Sequence, residues 1–232
     1  MLKRDLILRS PVAKTIGIEQ ITQGRFGAVV SRAGVGKTSF LVQIALTQLL
    51  KNEKILHVSL TETIEKINIR YHEGYTSLVD SIGYVDSEKA LRVWEDISPN
   101  KVAISYNDAT FDTQKIKDYL ESFKHTDLSL PSIMIIDGID FDKDQTELIR
   151  EMEVICSDFP IFIWFAMQSH REEDLCDDGF PIQLEAHKDK FDKAIFLQPV
   201  ENKIEAIVLM DGDRTDTRYT LNPATMMAVQ EE

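Results

Sequence analysis

Ser31-Arg32-Ala33-Gly34-Val35-Gly36-Lys37-Thr38 is the stretch that decides how the rest of the chain is read. The apolar run Phe26 to Val30 leads into it and is expected to be a buried strand. Beyond it, Phe40, Leu41, Ile44, Ala45 and Leu49 recur at helical spacing within Thr38–Leu50. A glycine-containing loop between a strand and a helix can wrap its backbone N–H groups around phosphate oxygens, and the helix N-terminus adds partial positive charge. The segment Ser31, Arg32, Ala33, Gly34, Val35, Gly36, Lys37, Thr38 and Ser39 is therefore the expected nucleotide-binding loop. Lys37, expected to be exposed in the empty loop, would reach the β- and γ-phosphates, and the Thr38 hydroxyl would face Mg²⁺. Such a loop ordinarily opens with glycine, and Ser31 stands at that position. The alternative is a plain strand-to-helix turn carrying a solvated lysine.

Composition narrows the classes. The 232 residues suit one domain with a sizeable core, and 43% of them are hydrophobic. The start, Met1-Leu2-Lys3-Arg4-Asp5, leads into no long apolar run, so neither a signal peptide nor a membrane span is expected, and the reading is cytoplasmic. Cys156 and Cys176 lack metal-ligand spacing and read as reduced thiols. His57, His72, His125, His170 and His187 form no metal pattern either. A net charge of −13 counts against a nucleic-acid binder, which carries a basic face.

Strand-like and helix-like runs alternate along the chain. The strands are read at Phe26–Ser31, Lys54–Leu60, Lys101–Tyr106, Ser132–Asp137, Pro160–Met167, Ala194–Gln198 and Ile204–Met210, with a short one at Arg218–Leu221. Helices are read at Thr38–Leu50, Thr63–Tyr71, Thr113–Phe123 and Gln145–Ser157, with a weaker pattern at Ser87–Glu95. Continuous apolar runs such as Ile133-Met134-Ile135-Ile136 are those of strands covered on both faces. The fold class is α/β: a mainly parallel sheet with helices on both faces, extended by antiparallel C-terminal strands. Residues 1–232 read as one domain.

Three further positions carry chemistry. Asp137 closes an apolar strand, where a carboxylate can support Mg²⁺ beside a phosphate loop or simply cap a turn. Asp140 and Asp142 lie just beyond, and Asp142 suits a cap for the following helix. Gly138 stands where many ATPases carry the glutamate that activates water. A base must then come from elsewhere, and Glu62, directly after the strand Lys54–Leu60, is the best candidate. Its alternative is a first-turn helix glutamate favoured by the dipole. Glu201-Asn202-Lys203-Ile204-Glu205 lacks the final aspartate of a guanine-reading motif, so a GTPase is not expected.

Taken together these segments resemble the RecA-like ATPases, within them the branch containing the circadian ATPase KaiC and the replicative helicase DnaB. The match rests on Ser31–Thr38 followed by Ser39-Phe40, on Leu56-His57-Val58-Ser59-Leu60-Thr61-Glu62-Thr63, on the Asp137 strand, and on Trp164-Phe165-Ala166-Met167-Gln168-Ser169-His170-Arg171. It runs from about Gly24 to Leu221. The resemblance implies that Lys37 and Thr38 bind phosphate and Mg²⁺, Glu62 polarises water, Asp137 supports the metal and Gln168 senses the γ-phosphate. It also implies a ring with nucleotide at the subunit boundary, and it places an arginine of the helix after the glutamate, here Arg70, near the base. Read from its residues alone, Arg70 better suits a solvated helix position. Relatives often carry two acids where this chain has Thr61-Glu62. They also carry a Lys-x-Arg pair where it has Leu209-Met210-Asp211-Gly212-Asp213-Arg214, leaving Arg214 as the candidate finger toward a neighbouring subunit.

The expected function is Mg-ATP binding with in-line attack of water on the γ-phosphate. Two other classes stay open: an ATP-binding switch or scaffold of poor turnover, suggested by Ser31 and the altered Arg214 region, and a recombination or repair accessory protein, which the charge disfavours.

Overall fold

The computed structural model describes residues 2–17, 22, 25–107, 109–124, 126, 129–170, 176, 179–211 and 213–229. Gly24, His125, Arg171 and Gly212 of the sequence reading lie outside these. Among the described residues the strands form one eight-stranded sheet: β1 (Phe26–Ser31), β2 (Ile55–Ser59), β3 (Lys101–Ser105), β4 (Ile133–Asp137), β5 (Phe162–Gln168), β6 (Lys193–Val200), β7 (Lys203–Asp211) and β8 (Asp213–Leu221). Their order across the sheet is β3-β2-β4-β5-β1-β6-β7-β8. The strands from β3 to β6 pair in parallel, and β7 and β8 add antiparallel hairpins. This is the expected mainly parallel sheet with an antiparallel C-terminal extension.

The sheet's two faces are separated by the two-residue period of each strand. Ile133 and Ile135 of β4 join the core built on one side, with Phe40, Leu41 and Ile44, while Met134 and Ile136 join the opposite core, with Ile149 and Met152. Helix α3 (Lys37–Leu50) is buried from Phe40 to Leu50, because it lies between the sheet and a second helical layer. That layer is α1 (Leu2–Arg9), α2 (Pro11–Thr15), α4 (Ile64–Asp80) and α5 (Ser87–Ile97). The other face carries α6 (Thr113–Phe123), α7 (Thr146–Asp158) and the short α8 (Ile182–Glu185). Among the described residues, no helix is long and apolar enough to cross a membrane.

The α1–α2 pair, α4 and β8 differ from the sequence reading, each for a tertiary reason, and the short α8 also has no counterpart in it. The pair α1 and α2 has no counterpart in it: α1 buries only Leu6, too little for a readable stripe. It is held by the core and by the bond between the buried hydroxyls of Ser10 and Thr47 (2.9 Å). Helix α4 continues to Asp80, because Tyr71, Tyr75 and Leu78 extend its buried stripe past Gly74. Strand β8 spans nine residues rather than four. Its Thr, Asp and Arg content suits an edge strand, where apolar alternation is not enforced. Residues beyond Leu221 are also part of the unit, since Val229 N–H donates to Thr220 O (2.8 Å) and Leu221 bridges Ala228.

Candidate nucleotide-binding site

The sequence-predicted residues converge at the C-terminal ends of the parallel strands. Register accounts for this: Ser31 at the end of β1 pairs with Gln168 at the end of β5, and Ser59 at the end of β2 pairs with Asp137 at the end of β4. An open α/β sheet places ligands at this edge.

The loop after β1 turns through Gly34 (φ +78°) and Gly36 (φ +120°) into α3. At Gly36 the positive φ calls for glycine, and a Cβ there would press on Met226 Sδ (2.9 Å). Ser31 has no such need: it is buried, paired as part of β1 and free of positive φ, so serine is tolerated where glycine was expected. Among the described residues no side chain caps the first turn of α3, whose N–H groups therefore face the loop. Such donors suit a polyphosphate.

Lys37 is half-buried rather than exposed. Its ammonium donates to the carbonyls of Ser31 (3.0 Å) and Arg32 (3.2 Å) within its own loop. Burial pushes its pKa down, and the nearby Asp137 carboxylate partly offsets this. The Thr38 hydroxyl donates to Asp137 Oδ2 (2.6 Å). Asp137 itself is 7% exposed, and burial raises its pKa against the lowering effect of the Thr38 bond. The oxygen pair Thr38–Asp137 fits a hard cation. Among the described residues no cluster of three or more His, Cys, Asp or Glu could hold a metal, and Mg²⁺ needs none: it keeps waters and takes phosphate oxygens.

A raised carboxylate pKa means that ionised Asp137 costs the free fold stability at neutral pH. That cost fades as pH falls through the raised folded-state pKa and is gone below the ordinary carboxylate value, where the unfolded chain is protonated too. Asp137→Asn is therefore expected to raise the melting temperature of nucleotide-free protein at pH 7 and to lose the advantage near pH 4, as thermal denaturation would read. A melting temperature lowered at pH 7 would show that the charged bond from Thr38 outweighs burial.

Glu62 is fixed before any ligand arrives. Its N–H donates to Ser59 Oγ (3.0 Å), Ser105 Oγ donates to its carbonyl (2.8 Å), and Thr63 caps α4 directly after it. Gly138 explains the lack of a glutamate after Asp137. It has φ +96°, and a Cβ there would meet Thr61 Cγ2 at 2.8 Å and the Thr61 backbone N at 3.2 Å. The exits of β2 and β4 touch so closely that only glycine fits, and the acid stands on the β2 side instead.

Arg70 is partly exposed but paired. Its Nε donates to Glu62 Oε2 (2.6 Å) and Oε1 (2.9 Å), and Nη2 also donates to Oε1, a two-oxygen grip that holds the Glu62 carboxyl below its usual range. Asp142 does not cap α7: it pairs with His170 Nε2 (2.6 Å) and accepts from Gln183. Arg214 lies in β8 opposite Met210, three strands from β1, so the topology does not bring it to this loop.

Sequence reasoning missed the remaining walls. A cleft of about 420 Å³ runs from Gly34–Ser39 past Arg70, Glu73 and Ser77 of α4 to Pro223 and Met226. Gln43 lines it, 1% exposed, its Nε2 donating to Gly74 O (3.2 Å), with Oε1 lacking a partner among the described residues. The Asn222–Met227 turn carried no signal beyond turn-forming residues, because its role is contact with Gly36 rather than chemistry.

The sheet order, the loop between β1 and α3 and the acid ending β4 define the RecA-like P-loop NTPase fold. Among solved structures the chain is similar to one described as an ATPase domain (TM-score 0.64, 16% identity, 89% of this chain and 85% of that one). It is also similar to a DnaB-like replicative helicase described with its interactions with primase (TM-score 0.63, 14% identity, 85% of this chain and 56% of that one). The chain thus spans little more than half of that helicase chain. No protein-family model and no curated protein sequence matches it.

Proposed function

We propose that this chain binds Mg-ATP at the Ser31–Ser39 loop and hydrolyses it by in-line attack of water on the γ-phosphorus. Attack forms the new P–O bond as the bond to the β–γ bridging oxygen breaks, giving ADP and phosphate, and Glu62 takes the proton released by the water. Lys37 leaves the Ser31 and Arg32 carbonyls for the β- and γ-phosphates, and Gln168, in register with Ser31, monitors the γ-phosphate. Thr38 and Asp137 would hold Mg²⁺, whose charge would offset that developing on the phosphates. Positioning and charge stabilisation carry most of the effect in such transfers.

The observation that carries this reading is the Thr38–Asp137 bond at the mouth of the loop: it brings the two oxygen ligands together from residues 99 positions apart. Calorimetric titration with ATP, with and without Mg²⁺, tests it. Wild type is expected to bind more tightly with Mg²⁺, and Asp137→Asn to lose most of that difference. An Asp137→Asn chain that keeps the full magnesium effect would make Asp137 structural.

A second reading is favoured by one contact. Glu62 has both oxygens engaged by Arg70, which suits an ATP-binding switch of slow turnover. Assembly is a separate proposal: with Arg214 remote from its own loop, a finger role requires a neighbour. ATP-promoted self-association, in the limit a hexamer-like ring, is expected by light scattering. A chain that stays monomeric with and without ATP at high concentration rejects a stable ring.

A further inference from the structure

Among the described residues, Arg70 is the one that touches both halves of the site. Its guanidinium grips Glu62, and it also lines the cleft beside Lys37 and Thr38. The Glu62–Arg70 ion pair is half-exposed on the arginine side and mostly covered on the glutamate side (38% and 15%). Lys66, on the same helix, is exposed, and the buried His57 of β2 is held neutral by burial, its pKa lowered to about 3.

We propose that Arg70 is a two-position latch: in the free chain it occupies both oxygens of Glu62, and on triphosphate binding its guanidinium transfers to phosphate oxygens and releases Glu62 as a base. This rests on the nucleotide-site reading above. A guanidinium fork satisfies a carboxylate or a phosphate equally well, so exchange between the two needs only a side-chain rotation. A carboxylate with both oxygens bonded is a poor proton acceptor, so the latch ties basicity to occupancy. Arg70 acts through Glu62 and is a positioning residue.

A double-mutant cycle on analogue affinity tests the latch without relying on turnover. Binding of the β,γ-imido analogue of ATP with Mg²⁺ is measured by calorimetry for wild type, Glu62→Gln, Arg70→Gln and the double variant. In wild type part of the binding energy breaks the Glu62–Arg70 pair. Glu62→Gln should therefore bind roughly three- to tenfold more tightly, the range such a charge-assisted pair supplies. In the Arg70→Gln background the same change should alter affinity by less than about twofold. Arg70→Lys, keeping the charge but not the fork, should give an intermediate gain. If the gain persists in the Arg70→Gln background, it reflects charge repulsion between Glu62 and phosphate, and the latch is wrong. An absent gain in the wild-type background overturns it as well. A wild-type chain that fails to bind the analogue at all overturns the site reading itself, a different result from binding without coupling.

Discussion

Glu62→Gln is expected to keep ATP binding and to lose turnover by about 10²–10⁴-fold, the usual contribution of a positioned general base. Shape survives the change, but the amide keeps only one of the two oxygens that Arg70 grips and cannot take a proton. The backbone anchors from Ser59 and Ser105 do not involve the carboxylate, so the β2–α4 turn should stay in place. No substitute base stands across the turn, because Gly138 has no room for a side chain against Thr61. Phosphate release under saturating ATP, paired with a binding titration, reads both halves of the expectation. Turnover equal to wild type would place the base elsewhere and detach the β2 exit from catalysis.

Lys37→Ala should weaken ATP binding by about 10- to 100-fold, the loss of one or more charge-assisted bonds to phosphate. The effect on the free fold should be small. Burial lowers the Lys37 pKa, so the ammonium is held in the loop at some cost, which the nearby Asp137 carboxylate offsets only in part. Melting temperature without ligand should thus change little while calorimetry shows the affinity loss. An unchanged affinity would remove the loop from nucleotide binding.

Much of this site was legible in the sequence because its chemistry sits where strands end. Lys37, Thr38, Glu62, Asp137 and Gln168 each follow or close an apolar run, and parallel register gathers such ends at one edge. The fold class was legible for the same reason, since strands buried on both faces show as unbroken apolar runs. What stayed hidden depends on contacts between distant segments. The resemblance pointed to Arg70, but its two-oxygen grip on Glu62 appears only once α4 folds back over the β2 exit. The α1–α2 pair is short and broken at Ser10-Pro11, with no apolar stripe long enough to read, and its place is set by Leu6, Val12 and the Ser10–Thr47 bond. The meaning of Gly138 lies in its distance to Thr61, and that of Met226 in its seat on Gly36. The capping role read for Asp142 failed because a tertiary partner, His170, claims its carboxylate.

Phosphate release by purified wild type at saturating Mg-ATP, run beside Lys37→Ala, tests hydrolysis at this site most directly. The expected result is magnesium-dependent release by wild type that falls to background in Lys37→Ala. Release that is equal in the two proteins, or absent from a wild-type chain that binds ATP, would contradict it.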